Sequence, residues 1–250
     1  MQPQTLNLLA QIRIVLSRPS HPGNIGSVAR AMKTMGLSDL YLVAPKAFPH
    51  PESETLASGA TDVLARATVC ETLEQALSGC VLAIGTCPRQ RDLLPALLTP
   101  ESAASLAMRE VQAGRVAFVF GNETCGLSKE ELACCQALVT IPGNPDYSSL
   151  NLAAAVQVVA YVLRRTALNE DFAEPSLDAA DLGEVERFYA HLEQTMVQIG
   201  FLNPASPKRL MPKLRRLFAR TRLQKEEINI LRGMLSAIEK QGVEKPRQKG

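Results

Sequence analysis

Apolar residues in the first two thirds of the chain fall into short continuous runs, separated by stretches in which they recur every three or four positions. The runs predict β-strands at Ile12 to Ser17, Leu40 to Ala44, Val81 to Gly85, Val116 to Phe120 and Leu138 to Ile141. The periodic stretches predict helices, among them Thr72 to Leu77 and Glu101 to Gln112. This alternation is typical of an α/β fold, in which helices cover both faces of a mostly parallel sheet.

Two of the predicted helices carry further information. One is predicted to begin at Asn24. We expect it to end at Gly36, because glycine is favoured just past a helix end. The other runs from Leu150 to Leu168 and is apolar nearly all round, so a single sheet face cannot cover it. We therefore expect a second burial surface, which a partner subunit would supply.

The last third of the chain has a different pattern. Residues 169–182 are acidic and predict a linker, and the periodicity beyond them is helical only. Three helices are predicted, at about Leu182 to Ile199, Pro207 to Arg220 and Lys225 to Lys240. The 250 residues thus divide into an α/β domain (residues 1–168) and a helical extension (residues 183–250).

Composition excludes several classes of protein. No apolar run reaches the roughly 20 residues needed to cross a bilayer. The N-terminus also lacks the charged start and the apolar stretch of a secretory signal. We therefore expect a cytosolic protein. The six cysteines form no C-x-x-C pair and there are only three histidines, which argues against a metal site. In a cytosolic chain the cysteines are interpreted as small buried apolar residues.

The net charge of +2 hides a strong asymmetry along the chain. Residues 200–250 hold 13 Lys and Arg against 4 Asp and Glu, a net +9, whereas residues 1–166 are neutral. Clustering of this kind is typical of proteins that bind a phosphate backbone, although a solvated helix face would look similar. Phe218 is the one aromatic residue inside the cluster, so no base-stacking platform is evident. The predicted RNA-binding residues are Lys208, Arg209, Lys213, Arg215, Arg216, Arg220 and Arg222.

Three segments lie where a predicted strand ends and a helix begins, the edge at which open α/β sheets bind ligands. In the first, His21 to Arg30, Asn24 and Ser27 are suited to capping the helix, and Arg30 lies on its polar side. The second, Phe118 to Ser128, has two glycines with the separation of a phosphate-binding loop. Leu127 stands where such a loop requires lysine, which argues against nucleoside triphosphate hydrolysis.

In the second segment, Gly121 lets a ligand approach the backbone and Glu123 follows it; a tight turn with a capping carboxylate would look the same. The third segment, Ile141 to Asn151, contains two prolines and a glycine, which leave backbone groups for a ligand to satisfy. Ser148 or Ser149 is suited to capping the next helix, and a plain capped loop is the alternative.

Taken in order, these segments resemble the SPOUT class of S-adenosylmethionine-dependent RNA methyltransferases, in its SpoU branch. Asn24 with Arg30 is similar to the first motif of that branch, and Ser149-Leu150-Asn151 to the third. The second motif is matched by Gly121-Asn122-Glu123 with Gly126-Leu127. The basic tail further resembles the TrmJ subfamily, through Leu-Arg-Arg-Leu-Phe-Ala-Arg near Leu214 and Asn-Ile-Leu-Arg-Gly near Asn229.

The resemblance implies a trefoil knot at the C-terminal side of the α/β domain, a homodimer, and methylation of the ribose 2′-hydroxyl of cytidine or uridine 32 in the tRNA anticodon loop. It implies Arg30 and Asn24 as catalytic residues, with Glu123 and Asn151 supporting them. The implied contacts to S-adenosylmethionine are Thr86, Cys87, Pro88, Gly121, Ile141, Gly143, Ser148, Ser149 and Leu150. An rRNA methyltransferase and a non-catalytic RNA-binding protein of the same fold remain the alternatives.

Overall fold

Seven parallel strands form a single sheet, as the alternation of runs and periodic stretches predicts. The computed structural model describes residues 8–87, 97–144, 146–147, 149–168 and 179–243. The strands are β1 (Ile12–Ser17), β2 (Asp39–Val43), β3 (Thr68–Cys70), β4 (Cys80–Thr86), β5 (Leu97–Leu98), β6 (Arg115–Phe120) and β7 (Ala137–Val139). Their order across the sheet is β3-β2-β1-β6-β4-β7-β5.

Helices connect and cover the strands. In the α/β domain they are α1 (Pro22–Met35), α2 (Pro51–Ala57), α3 (Thr61–Ala65), α4 (Leu73–Leu77), α5 (Pro100–Glu110), α6 (Lys129–Ala133) and α7 (Leu152–Ala167), with a 3₁₀ turn at Ser58–Ala60. The extension contains α8 (Leu182–Gln198), α9 (Leu210–Ala219) and α10 (Lys225–Val243). No helix in the described part of the chain is long and apolar enough to cross a membrane.

The strand β1 lies at the centre of the sheet. Val15 pairs with Tyr41 on β2 and with Val119 on β6, and all six β1 residues are buried. Helices α1, α5 and α7 contribute to the core on one face of the sheet, and α4 and α6 to the core on the other. Burial on both faces explains why β4 and β6 are nearly continuous apolar runs without polar alternation, whereas Arg13 interrupts the run in β1.

The sequence did not predict α2, α3, β3, β5 or α6. Each is at most seven residues long. The three helices among them are therefore too short for a period of 3.6 residues to show in the sequence. Strand β3 lies at the sheet edge and leaves Thr68 and Val69 exposed, so it lacks the apolar run of a buried strand. The other predicted elements are confirmed, with ends that differ by up to three residues.

The extension is anchored to the α/β domain. Leu182 is buried in the same core as α4 and α6, while Ala180 N–H donates to the carbonyl of Leu223 within the extension itself (3.0 Å). Residues 179–182 belong to the folded structure. Residues 169–178 lie outside the described residues, and the linker stays a prediction. Phe188, Tyr189 and Leu235 form the centre of a separate small core within the extension.

Candidate active site

A cavity of about 810 Å³ opens at the carboxyl ends of β4, β6 and β7. Parallel strands bring the loops that follow them to one edge, where ligands bind in open α/β sheets. The cavity is lined by seven residues of the predicted cofactor set, namely Thr86, Cys87, Gly121, Ile141, Gly143, Ser149 and Leu150. The other two predicted contacts, Pro88 and Ser148, lie outside the described residues.

Several lining residues were missed by sequence reasoning. Leu127, Leu132 and Leu152 contribute apolar side chains to the wall of the cavity. Asn122 and Thr124 contribute polar groups beside Glu123. Asn122 and Leu127 belong to the second motif segment, but the sequence did not assign either of them to a cavity wall. The cavity wall therefore combines apolar side chains with a comparable share of polar groups.

The loop from Gly121 to Gly126 is held in a tight conformation. A Cβ atom at Gly121 would lie 2.2 Å from the backbone C of Gly126 and the N of Leu127, so only glycine fits there. Asn122 Oδ1 accepts a hydrogen bond from Thr124 N–H (2.9 Å), and Gly126 has a φ of +66°. The loop therefore presents its backbone to the cavity in a fixed shape.

Glu123 receives four hydrogen bonds from the start of α1. Its Oε2 accepts from Ser20 N–H (2.9 Å) and Ser20 Oγ–H (2.7 Å), and its Oε1 accepts from His21 N–H (3.3 Å) and Asn24 Nδ2–H (2.8 Å). Burial alone would raise the pKa of Glu123, but the hydrogen bonds from Asn24 and Ser20 outweigh it and lower the pKa to about 2. The carboxylate is therefore ionised and serves as the acceptor that fixes this end of α1.

Asn24 links all three motif segments. Asn151 Nδ2 donates to Asn24 Oδ1 (3.0 Å), while Asn24 Nδ2 donates to Glu123.

The capping predictions were wrong at both helices. Helix α1 begins at Pro22 after His21 with Asn24 inside its first turn, and Asn151, not Ser149, caps α7 by accepting from Ala153 N–H.

Arg30 does not line the cavity in the single chain. It is exposed on α1, and within the described residues its guanidinium makes no hydrogen bond or ion pair. Six residues separate it from Asn24, which on an α-helix corresponds to about 9 Å along the axis and a rotation of about 120°. The expected convergence of Arg30 with the other two segments thus fails within one subunit.

The cysteines are only partly as predicted. Cys80, Cys87 and Cys135 are buried and Cys70 and Cys134 are half-buried, but Cys125 is exposed and lines the cavity. Cys70, Cys80, Cys125, Cys134 and Cys135 are free thiols. Among the described residues, no group of histidine, cysteine and carboxylate side chains is suited to holding a metal ion.

The basic cluster of the extension divides into two groups. Arg215 donates to both carboxylate oxygens of Glu186 (2.5 and 2.7 Å) and stacks on Tyr189, and Arg222 is paired with Glu110 on α5. These two predicted RNA-binding residues therefore hold the extension together and onto the α/β domain. The remaining five make no ion pair within the described structure, and they are Lys208, Arg209, Lys213, Arg216 and Arg220.

A parallel α/β sheet with this strand-end cavity, followed by a basic helical extension, corresponds to the SpoU type of RNA methylase. Residues 11–161 match the SpoU rRNA Methylase family, and residues 183–248 match the C-terminal domain of the tRNA methyltransferase TrmJ. The chain belongs to the SpoU rRNA Methylase family, a family of methyltransferases. The family and fold predictions are confirmed, and the trefoil knot remains a prediction.

Similar proteins extend over nearly the whole chain. The tRNA (cytidine/uridine/adenosine-2′-O-)-methyltransferase TrmJ of Pseudomonas aeruginosa is 49% identical over 93% of this chain and 95% of its own length. The tRNA (cytidine/uridine-2′-O-)-methyltransferase TrmJ of Yersinia pestis is 48% identical over 94% and 93%. The crystal structure of TrmJ from Zymomonas mobilis ZM4 (Z. mobilis) superposes with a TM-score of 0.82 at 36% identity, covering 91% of this chain and 98% of that chain.

Proposed function

We propose that this protein transfers a methyl group from S-adenosylmethionine to the ribose 2′-hydroxyl of cytidine or uridine at position 32 of the tRNA anticodon loop. The observation that carries the proposal is the joining of three motif segments at one cavity, through Glu123, Asn24 and Asn151. Full-length similarity to proteins described as tRNA 2′-O-methyltransferases supports tRNA as the substrate. Action on tRNA would place the protein in the cytosol.

The cavity fits S-adenosylmethionine in size and chemistry. Its volume of about 810 Å³ lies within the usual range for small-molecule sites. Leu127, Ile141 and Leu150 offer apolar surface for an adenine ring, and the loop from Thr140 to Gly143 offers backbone groups for its polar edges. The chemistry supplied by this cofactor would be an electrophilic methyl group on a sulfonium.

The residues of the chain would orient and activate the ribose hydroxyl. The ionised Glu123 fixes the amide of Asn24, and Asn24 together with Asn151 offers polar groups beside the cavity. Arginine stays protonated in proteins and is a poor base, so we assign Arg30 to stabilising the developing alkoxide or holding the adjacent phosphate. The proton of the hydroxyl would pass to solvent or to a substrate phosphate.

Arg30 would complete the cavity from a second copy of the chain. Helix α7 leaves Tyr161 and Leu168 about half exposed (53% and 49%), and Ala154 lies on the same stripe at a spacing of seven residues. This stripe continues to Leu150, which is 45% exposed and lines the cavity. A homodimer formed through this stripe would cover the apolar surface and bring the two subunits together at the cavity.

Incubation of the protein with S-adenosylmethionine, tRNA and rRNA, followed by mass-spectrometric mapping of ribose methylation, tests the proposal. We expect methylation at position 32 of tRNA and none on rRNA. Methylation of rRNA alone would favour the first alternative. Calorimetry that detects no binding of S-adenosylmethionine would favour a non-catalytic RNA-binding protein.

A further inference from the structure

The turn that ends α8 holds an aromatic side chain outside the protein. Gly200 has a φ of +76° and reverses the chain, and Leu202 N–H then donates to the carbonyl of Met196 (3.0 Å). Leu202 packs inward at 5% exposure, while Phe201 beside it is 69% exposed. Because Leu202 already supplies the apolar contact that closes the helix end, Phe201 is not needed for this turn.

The first basic residues of the extension, Lys208 and Arg209, follow the exposed ring after a short folded stretch. Two hydrogen-bonded turns, Ser206 N–H to Asn203 O and Leu210 N–H to Pro207 O, fold the eight residues that lead from Phe201 to Arg209. Lys208 and Arg209 are exposed, and both have left-handed backbone conformations (φ +46° and +57°). Residues other than glycine rarely adopt this conformation in succession, and such backbone strain is concentrated at functional sites.

The charge of this surface limits what can cover it. Residues 199–223 contain seven Lys and Arg and no Asp or Glu, and only Arg215 and Arg222 are paired within the described structure. A second copy of the extension would place like charges against each other. A ligand that combines negative charge with flat apolar faces matches the surface, and single-stranded nucleic acid has both properties.

We propose that Phe201 is a stacking residue for an unpaired base of the RNA whose phosphates are held by the basic residues of the extension. The proposal rests on the tRNA-directed function above and adds an aromatic contact to it. Phe218 cannot take this role, because its ring packs edge-on against Phe188 at 5.0 Å between centroids. A stacked base contributes binding energy without neutralising a phosphate, which separates its effect from that of a lysine.

The test compares Phe201→Ala, Phe201→Trp and Ile199→Ala in the full-length protein. Ile199 is the matched control, since it is an exposed apolar residue (49%) on the same turn. Binding to a tRNA transcript is measured against salt concentration, with a single-stranded 12-mer and its duplex as competing probes. We expect Phe201→Ala to weaken binding of tRNA and of the single strand by roughly 5- to 150-fold. Duplex binding and the salt slope should stay unchanged, and the other two variants should bind as wild type.

Three results would overturn the proposal. Phe201→Ala could bind tRNA with wild-type affinity, or Ile199→Ala could lose as much tRNA affinity as Phe201→Ala. The third is a changed sedimentation coefficient of Phe201→Ala, which would assign the ring to a contact between copies of the chain. Methyl transfer is followed separately. If the variant loses RNA affinity while the wild type methylates no RNA, stacking stands and the proposed function fails. If the wild type methylates tRNA and the variant binds it normally, the function stands and stacking fails.

Discussion

Asn24 Nδ2 donates to Glu123 Oε1 across 2.8 Å, a bond between residues 99 positions apart in the chain. An amide that donates to a carboxylate has its orientation fixed, so the oxygen of Asn24 is left to accept from Asn151. Glu123 is thus the charged end of a hydrogen-bond chain that reaches the first turn of α7.

The first prediction concerns this chain. In Glu123→Gln an acceptor oxygen is replaced by an NH₂ group that meets N–H and O–H donors, and the amide of Asn24 loses its fixed orientation. We expect kcat/KM for methyl transfer to fall about 10- to 100-fold, since small displacements at a reacting centre have effects of this size. Glu54→Gln, on the exposed surface of α2, is the control and should retain activity. Full activity of Glu123→Gln would show that the hydrogen-bond chain does not position reacting groups.

The same carboxylate predicts a dependence of stability on pH. Its pKa of about 2 in the folded protein lies below the ordinary value of 4.5, so ionisation stabilises the fold. This contribution is fully present above pH 4.5 and is lost as the pH falls toward 2. Thermal melts should therefore show a constant Tm difference between wild type and Glu123→Gln from pH 8 to 5 that narrows at lower pH. A difference that instead narrows between pH 8 and 6 would contradict the low pKa.

A third prediction separates catalysis from binding. Arg30→Ala should reduce turnover at least 100-fold, because a positive charge positioned at a developing oxyanion contributes on this scale. Calorimetric affinity for S-adenosylmethionine should change little, since we assign Arg30 to the ribose oxygen or the adjacent phosphate and not to the cofactor. Arg66→Ala, which removes a guanidinium paired only with Asp62 on the surface, is the control. Wild-type turnover in Arg30→Ala would remove this residue from the mechanism.

A fourth prediction uses two glycines. Gly121→Ala should abolish cofactor binding and lower the Tm, because the new Cβ would collide with backbone atoms that cannot move away independently. Gly59→Ala is the control, as nothing lies within 4 Å of its Cβ position and its φ is not left-handed. Normal cofactor binding in Gly121→Ala would show that the loop shape is not required.

The fifth prediction contrasts two arginines of the basic cluster. Arg220→Ala should weaken tRNA binding and reduce the salt slope by about one, with little change in stability. Arg222→Ala should destabilise the protein by about 1–3 kcal/mol, because it leaves Glu110 partly buried without its partner, and should keep the salt slope. Urea unfolding and salt-dependent binding measure the two effects. An equal slope change in both variants would mean that Arg222 also contacts phosphate.

The position of the site could be predicted from the sequence better than its internal geometry could. The strands, α1 and α7 follow from apolar patterns, and two of the three strand-end segments chosen from them, Phe118 to Ser128 and Ile141 to Asn151, contribute residues to the cavity wall. Thr86 and Cys87 were expected there only from the family resemblance. The pattern could not show that Asn24 faces Glu123 and Asn151 instead of capping α1, because such pairing depends on how loops 99 and 127 residues away pack. Likewise, Arg215 and Arg222 look like their basic neighbours in sequence, and only the fold places Glu186 and Glu110 beside them.

The central position of β1 has a consequence for synthesis on the ribosome. Ile12 pairs with Val116, so one edge of β1 has no partner until more than a hundred further residues have been made. At roughly 5 to 20 residues per second, that interval lasts about 5 to 20 seconds. During it the nascent chain carries a strand with one fully apolar face, formed by Ile12, Ile14 and Leu16, and with one edge open. This stretch is therefore where a chaperone should bind the emerging protein, and where aggregation should begin if it does not.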